Sequence, residues 1–339
     1  MVAVPLVLRR SGRCQGTPVT SDSMLQLLDL AGIYFRAFHA VPSSTVSPTG
    51  QPVNAIRGTL DIIRRVMLDG RPDRLIACLD LDWRPAWRVA LVPTYKSHRV
   101  APESAQSQPH VEGETAVEEV PDELSPQVPV LLEVLAAVGI STAGAPGFEA
   151  DDVIGTLAAR EVVDRVEVVT GDRDLFQVAR DAPTQVVVRY IGAGMSKTQL
   201  LDSAGVADKH GIPAGRYPDF AVLRGDASDG LPRVPGVGDK TAAALISAFG
   251  SIEAVIAATQ DGSSQLSKGH RVKLLPALPY LSVAPTVVRV AVDAPVTVRP
   301  AGDGRLPTSP VDPDRLVELS REYGLGSPVA RLLDALGNR

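Results

Sequence analysis

At 339 residues the chain is long enough for one large α/β domain or two smaller ones, and 45% hydrophobic content supplies a sizeable core. Its two cysteines, Cys14 and Cys78, lie far apart in unlike contexts, which argues against a disulfide framework or a zinc site and fits a reducing cytoplasm. The formal charge of −5 speaks against a polyanionic partner only until the acids are located: residues 100–159 hold no Lys or Arg, while 36–99 are rich in arginine.

Residues 1–23 lack periodicity and have a loop-like composition, so a disordered extension is expected there, with Met24 a candidate start. The apolar stretch VAVPLVL is too short to cross a membrane and its arginines follow it, unlike a signal peptide. From Met24, MLQLLDLAGIYFRAFHA reads as a buried strand ending at Asp29, then a turn and a helix that carries Arg36. AIRGTLDIIRRVML keeps helical spacing at Ile56, Leu60, Ile63 and Met67, and DRLIACLDLDW is a second strand running to Asp80. The polar, acidic, proline-punctuated stretch 101–129 is expected to be a long mobile loop. VPVLLEVLAAVGI resumes a helix, and EADD opens another after a turn. VEVVTGD is a third strand running to an aspartate and TQVVVRYIG a fourth. Beyond residue 196 the pattern is helical only, and PDRLVELSREYGLGSPVARLLDAL supplies a final helical pair.

This alternation predicts an α/β fold: a mainly parallel central sheet with helices on both faces, followed by a helical region. The expected divisions are 1–23 as an extension, 24–195 as the α/β core with a loop or arch at about 96–135, 196–290 as the helical region, and 291–339 as a C-terminal segment. In such a sheet all parallel strand C-termini share one edge, where ligands bind. Asp29, Asp80, Asp172 and Asp174 therefore fall on one rim, and Glu149, Asp151 and Asp152, at a helix start, face the same edge. A single aspartate before a helix is most simply a cap. Seven carboxylates on one rim repel each other unless a cation neutralises them, and an oxygen-only donor set suits Mg²⁺ or Mn²⁺. Two such ions about 3.5–4 Å apart can clamp the attacking and leaving oxygens of a phosphodiester.

Asp226 and Asp229 form a further pair three residues apart. The PGVGDKTA that follows has Gly236 and Gly238, which let backbone N–H groups approach a phosphate, and a helix beginning near Lys240 and Thr241. Setting aside nine carboxylates, the seven on the rim with Asp226 and Asp229, leaves 30 of the 39 acids against 34 Lys plus Arg, a net basic remainder.

With LLDLAGIYFRAFHA, ACLDLDWRPAWRVALVPTYKSHR, GFEADDVIGTLA, VVTGDRDLFQV and LRGDASDGLPRVPGVGDKTA in this order, the chain resembles the flap endonuclease and 5′-3′ exonuclease family, including the 5′-nuclease domain of bacterial DNA polymerase I. The resemblance covers about 24–290 and no polymerase region follows. It implies a PIN-like nuclease fold and two divalent ions held by Asp29, Asp80, Glu149, Asp151, Asp152, Asp172, Asp174, Asp226 and Asp229. It also implies that Arg36, Tyr95, Lys96 and Arg99 handle the scissile region, with Tyr95 able to stack on an unpaired base. PGVGDKTA would be a helix-three-turn-helix grip on duplex DNA, with K⁺ as a further ion. The implied substrates are DNA with 5′ flaps, nicks or free 5′ ends, with RNA–DNA hybrids as a further class; no membrane is involved and a cytoplasmic monomer is expected. The departures are an acidic insert in the arch region (Glu112, Glu114, Glu118, Glu119, Asp122, Glu123) and Gly230 where asparagine is usual. The choice of Asp80 over Asp82 is left open by the spacing to Tyr95, and His39 and His98 are read as structural or surface residues.

Overall fold

The structure, a computed structural model, describes residues 23–100, 119 and 121–338. The expected N-terminal extension and most of the acidic insert, including Glu112, Glu114 and Glu118, lie outside the described residues.

In chain order the main elements are β1 (Met24–Asp29), α1 (Leu30–Ala40), α2 (Asn54–Gly70), β2 (Arg74–Cys78), α3 (Ala86–Leu91), α4 (Gln127–Val138), β3 (Ser141–Gly144), α5 (Ala150–Arg160), β4 (Arg165–Thr170) and β5 (Val186–Tyr190). They continue with β6 (Gln199–Leu201), α6 (Ser203–His210), α7 (Tyr217–Arg224), α8 (Asp239–Phe249), α9 (Ile252–Gln260), α10 (Lys268–Leu274), α11 (Leu278–Leu281), α12 (Ala284–Val288), β7 (Thr297–Arg299), α13 (Pro313–Glu322) and α14 (Gly326–Gly337). The sheet order is β6-β5-β4-β1-β2-β3-β7. Its five central strands run parallel, and the short edge strands β6 and β7 are antiparallel. The expected mainly parallel sheet is present, but the region beyond residue 196 is not purely helical. β6 and β7 have three residues each and are largely exposed, so they carry no alternating apolar signal. β3, only four residues long, lies where the sequence reads as a turn.

Side-chain alternation divides the sheet between two cores. Leu25, Leu27, Ile76, Val166 and Val168 join the core that also contains α5 and α7–α12. Leu28, Leu75, Ala77 and Val169 face α1, α2, α4 and the C-terminal helices α13 and α14. The helical region therefore shares its core with one face of the sheet. On the other face a buried polar strip interrupts the apolar surface: Gln26 donates to Glu167 at 2.7 Å, and Arg189 grips both Glu167 oxygens at 2.7 and 2.8 Å. That pairing satisfies a carboxylate that would otherwise be unpaired in the interior.

The pairing register fixes the rim. Asp29 lies opposite Cys78, and Leu28 lies opposite Val169, so β1, β2 and β4 end nearly level. Asp80 and Asp172 follow their strands by two residues each.

Candidate active site

Asp29 and Asp172 are held by the local backbone that follows their strands. Asp29 accepts from the Gly32 N–H at 2.9 Å and so does cap α1, as its position before a helix suggests. A Cβ on Gly32 would run into the Asp29 carboxylate, so glycine there makes room for it. Thr170 ties two strands together: its hydroxyl donates to Asp29 Oδ2 at 2.8 Å and accepts from the Asp172 N–H at 2.9 Å. Asp172 Oδ1 in turn accepts from the Asp174 N–H at 2.8 Å, closing an Asx turn that aims both side chains from one bend. Asp80 accepts from the Ala150 N–H at 2.5 Å, joining the end of β2 to the start of α5. Asp82 is turned elsewhere, its carboxylate accepting from the Arg84 N–H at 3.3 Å and its own N–H donating to Phe148. Asp226 caps the short turn Ala227–Asp229 and pairs with Arg224 at 2.8 Å.

These groups affect each other's protonation. Burial, then Asp172 and Asp29, push the Asp151 carboxyl well above its ordinary range. Asp174 is pushed well up by burial and then by Asp172, Asp229 and Asp226. Asp29, Asp80, Asp172 and Asp229 are also raised, in each case chiefly by burial. The Lys96 ammonium, paired with Glu149, opposes the rise at Asp29, Asp80, Asp151, Asp172 and Asp229. Burial alone would lower Lys96, but Glu149, Asp229 and Asp80 outweigh it and hold its pKa above the ordinary value. Asp174 Oδ1 is buried without a partner among the described residues.

No three acidic, histidine or cysteine side chains among the described residues converge into a ready-made cage. The donors are nevertheless all oxygen, one is orphaned, and their mutual repulsion would be relieved by a cation. That chemistry fits hard divalent ions.

Two of the nine expected ligands are placed differently. Asp152 is fully buried, and Arg88 grips both its oxygens at 2.7 Å while the Ala291 N–H donates to Oδ1 at 2.8 Å. Glu149 accepts from Arg88, Lys96 and the Tyr95 hydroxyl, the last at 2.6 Å. Arg88 also donates to the Val287 carbonyl at 3.0 Å and is itself buried, so α3 is locked to α5 and α12. Tyr95 is only 4% exposed, with the cations of Arg88 and Lys96 both near its ring, so its burial leaves no room for the expected base stacking. It positions Glu149 instead. Arg99 donates to the Ser228 carbonyl at 2.8 Å and lies 3.6 Å from Asp229. Arg36 lies over Gly171, where a Cβ would press on its guanidinium. His39 and His98 are exposed, as expected. Beside Asp80, an open cleft of about 570 Å³ is lined by Gly32, Phe35, Trp83, His98 and Arg99.

Sequence reasoning missed Arg88 and Thr170. An arginine within the apolar run WRVALV was a usable signal for Arg88. Thr170 reads as an ordinary strand residue and gave none.

The family model for the 5′-3′ exonuclease N-terminal resolvase-like domain matches residues 24–211, and that for the 5′-3′ exonuclease C-terminal SAM fold matches 212–312. The chain belongs to the 5′-3′ exonuclease family. It is 52% identical to a Mycobacterium tuberculosis protein named 5′-3′ exonuclease, over 93% of this chain and 98% of that one. It is 37% identical to Mycobacterium bovis DNA polymerase I, over 68% of this chain and 24% of the polymerase. The T5 D15 protein, solved with metal ions, shares the fold at a TM-score of 0.58 and 15% identity, over 92% of this chain and 98% of that one.

In this 5′-3′ exonuclease family member the PGVGDKTA segment turns sharply. Gly236 has φ +72°, and α8 starts from Gly238, which offers no side-chain cap to the first N–H groups. Lys240 is exposed, Thr241 is half-buried beside it, and the Lys273 ammonium donates to the Gly236 carbonyl at 3.1 Å. No single helix among the described residues is long and apolar enough to cross a membrane.

Proposed function

We propose that this chain is a structure-selective, metal-dependent 5′ nuclease that hydrolyses phosphodiesters in DNA with 5′ flaps, nicks or free 5′ ends, and in RNA–DNA hybrids. The observation that carries the reading is the rim: carboxylates from β1, β2, α5, β4 and the 226–229 turn, raised in pKa by burial and by each other, with Lys96 among them. Asp29, Asp80, Asp151, Asp172, Asp174, Asp226 and Asp229 would hold two Mg²⁺ or Mn²⁺ ions. Glu149 and Asp152 would act from behind, through Arg88, Tyr95 and Lys96. The ions, when bound, supply activation of a water and neutralisation of charge on the phosphodiester.

The chain's own residues bind and orient. Lys96 and Arg99 place positive charge where a transferring phosphate would gather negative charge. Arg36, whose guanidinium lies by Gly171, would receive a neighbouring phosphate. Gly236, Gly238, Lys240 and Thr241 would grip the duplex backbone several residues away, with K⁺ as an additional ion at that turn. A cytoplasmic monomer suffices for this arrangement, since every proposed group lies on one chain.

Cleavage of a 5′-labelled flap duplex and a matched nicked duplex, with Mg²⁺, Mn²⁺ or EDTA, tests the reading. Metal-dependent cutting is expected on both, with product lengths separating flap removal from stepwise digestion. Tight DNA binding without cutting under any metal condition would favour a non-catalytic DNA-structure binding protein.

A further inference from the structure

Gly230 follows the turn that carries Asp226 and Asp229, with φ +68°. Asparagine tolerates that conformation too, so backbone geometry alone does not require glycine. The neighbouring chain does. A Cβ at 230 would collide with the Thr94 carbonyl oxygen and come within 3.2 Å of the Lys96 nitrogen. The two segments lie backbone to backbone there, and the Lys96 N–H donates to the Asp229 carbonyl at 2.9 Å.

Lys96 is one of two non-glycine residues with positive φ among those described, at +47°. Such a conformation persists only where surrounding contacts impose it. Here they come from both sides. Arg99 reaches the Ser228 carbonyl at 2.8 Å, and from the opposite flank Arg84 donates to the carbonyls of Tyr95 and Pro93 at 2.7 and 3.1 Å. With its N–H directed at Asp229, Lys96 sends its side chain to Glu149 and in among the rim carboxylates.

We propose that Gly230 is a positioning residue: by lacking a side chain it lets segment 93–99 latch onto turn 226–230, so that Lys96 and Arg99 stand at the carboxylate rim before any substrate arrives. This rests on the nuclease reading above for its consequence, though the latch itself is a property of the free protein. Displacing the segment by about 1 Å is enough to cost up to about 100-fold in rate.

Two measurements on the full chain test it. Hydrogen exchange of the substrate-free protein should show the backbone of 93–99 protected in wild type and freely exchanging in Gly230→Ala and Gly230→Asn; equal exchange in all three overturns the latch whether or not the protein is a nuclease. Single-turnover flap cleavage should then fall about 10- to 100-fold in both variants, with the dissociation constant for the flap duplex changed less than about 2-fold. In a background carrying both Lys96→Met and Arg99→Met the Gly230 substitutions should cost nothing more, because both groups they misplace are already gone. Losses that multiply instead, or wild-type rates in Gly230→Ala, contradict the role. If neither Gly230 variant folds, Arg84→Met decides, since it frees the same segment from the other side. Faster exchange of the segment, with a rate loss that adds nothing in the background carrying both Lys96→Met and Arg99→Met, supports the latch, and wild-type behaviour overturns it. A wild-type protein that shows the protected segment but cuts no flap would sink the nuclease reading and leave the latch standing.

Discussion

Residues on the rim divide into those whose charges oppose each other and those that support them. Asp174 belongs to the first kind, buried with an unpartnered oxygen and crowded by Asp172, Asp229 and Asp226. Because its folded-state pKa is raised, the folded protein holds this proton more tightly than the unfolded chain does. Its effect on stability therefore worsens as pH climbs from the ordinary value of 3.8 through the raised one. Asp174→Asn should raise the metal-free Tm at pH 7 by about 2 °C, the size of about 1 kcal/mol in a chain of this length, and flatten the dependence of Tm on pH. A lowered Tm would show that Asp174 is stabilising as an anion. Arg88 is of the second kind. Arg88→Met strands Asp152 and weakens Glu149 in the interior, so a loss of about 3–5 kcal/mol in denaturant unfolding is expected; a loss below about 1 kcal/mol would mean the pair is replaceable. The same contrast explains what the sequence disclosed. The strand-to-helix aspartates were legible because strand ends and helix starts share an edge. Asp151 and Asp152 are neighbours with the same local signal, and the partners that hold the second one inward, Arg88 and the Ala291 N–H, lie 64 and 139 residues from it. Tyr95 was misjudged for the same reason, since its partner Glu149 is 54 residues on.

At the scale of elements, period and punctuation revealed α1, α2, α4, α5 and the long strands, whose apolar residues alternate or recur over at least five positions. β3, β6 and β7 were not legible, because strands of three or four residues exist by pairing with their neighbours rather than by their own pattern. The C-terminal pair α13–α14 was legible from its apolar spacing, and it packs Leu316, Leu319, Leu332 and Leu336 against α2 and α4. The turn before α8 makes its own prediction. With Lys240 exposed beside uncapped N–H groups, Lys240→Gln should weaken duplex binding about equally for every sequence and reduce the slope of log affinity against log salt by about 1. Filter binding or anisotropy from 50 to 200 mM salt measures this, and an unchanged slope would take Lys240 out of the phosphate contacts.

Across the whole molecule, the parallel sheet brings residues from positions 29 to 172 to one edge, and the core shared between sheet and helical region also contains Val237 and Ala242 of the turn and helix α8. Rim and turn are thus parts of one packed unit, an arrangement that the proposed cutting at a set distance from a duplex junction would require. The central claim is that the rim carboxylates serve the reaction and the helical turn serves DNA binding. The most direct test compares wild type with Asp172→Asn in flap-duplex binding and in Mg²⁺- or Mn²⁺-dependent cleavage of the same labelled DNA. The account predicts cleavage lost by at least about 1000-fold, the scale on which a metal's charge stabilisation of several kcal/mol acts, with binding retained within a few-fold. Cleavage at the wild-type rate by a clean preparation of the Asp172→Asn protein would contradict it.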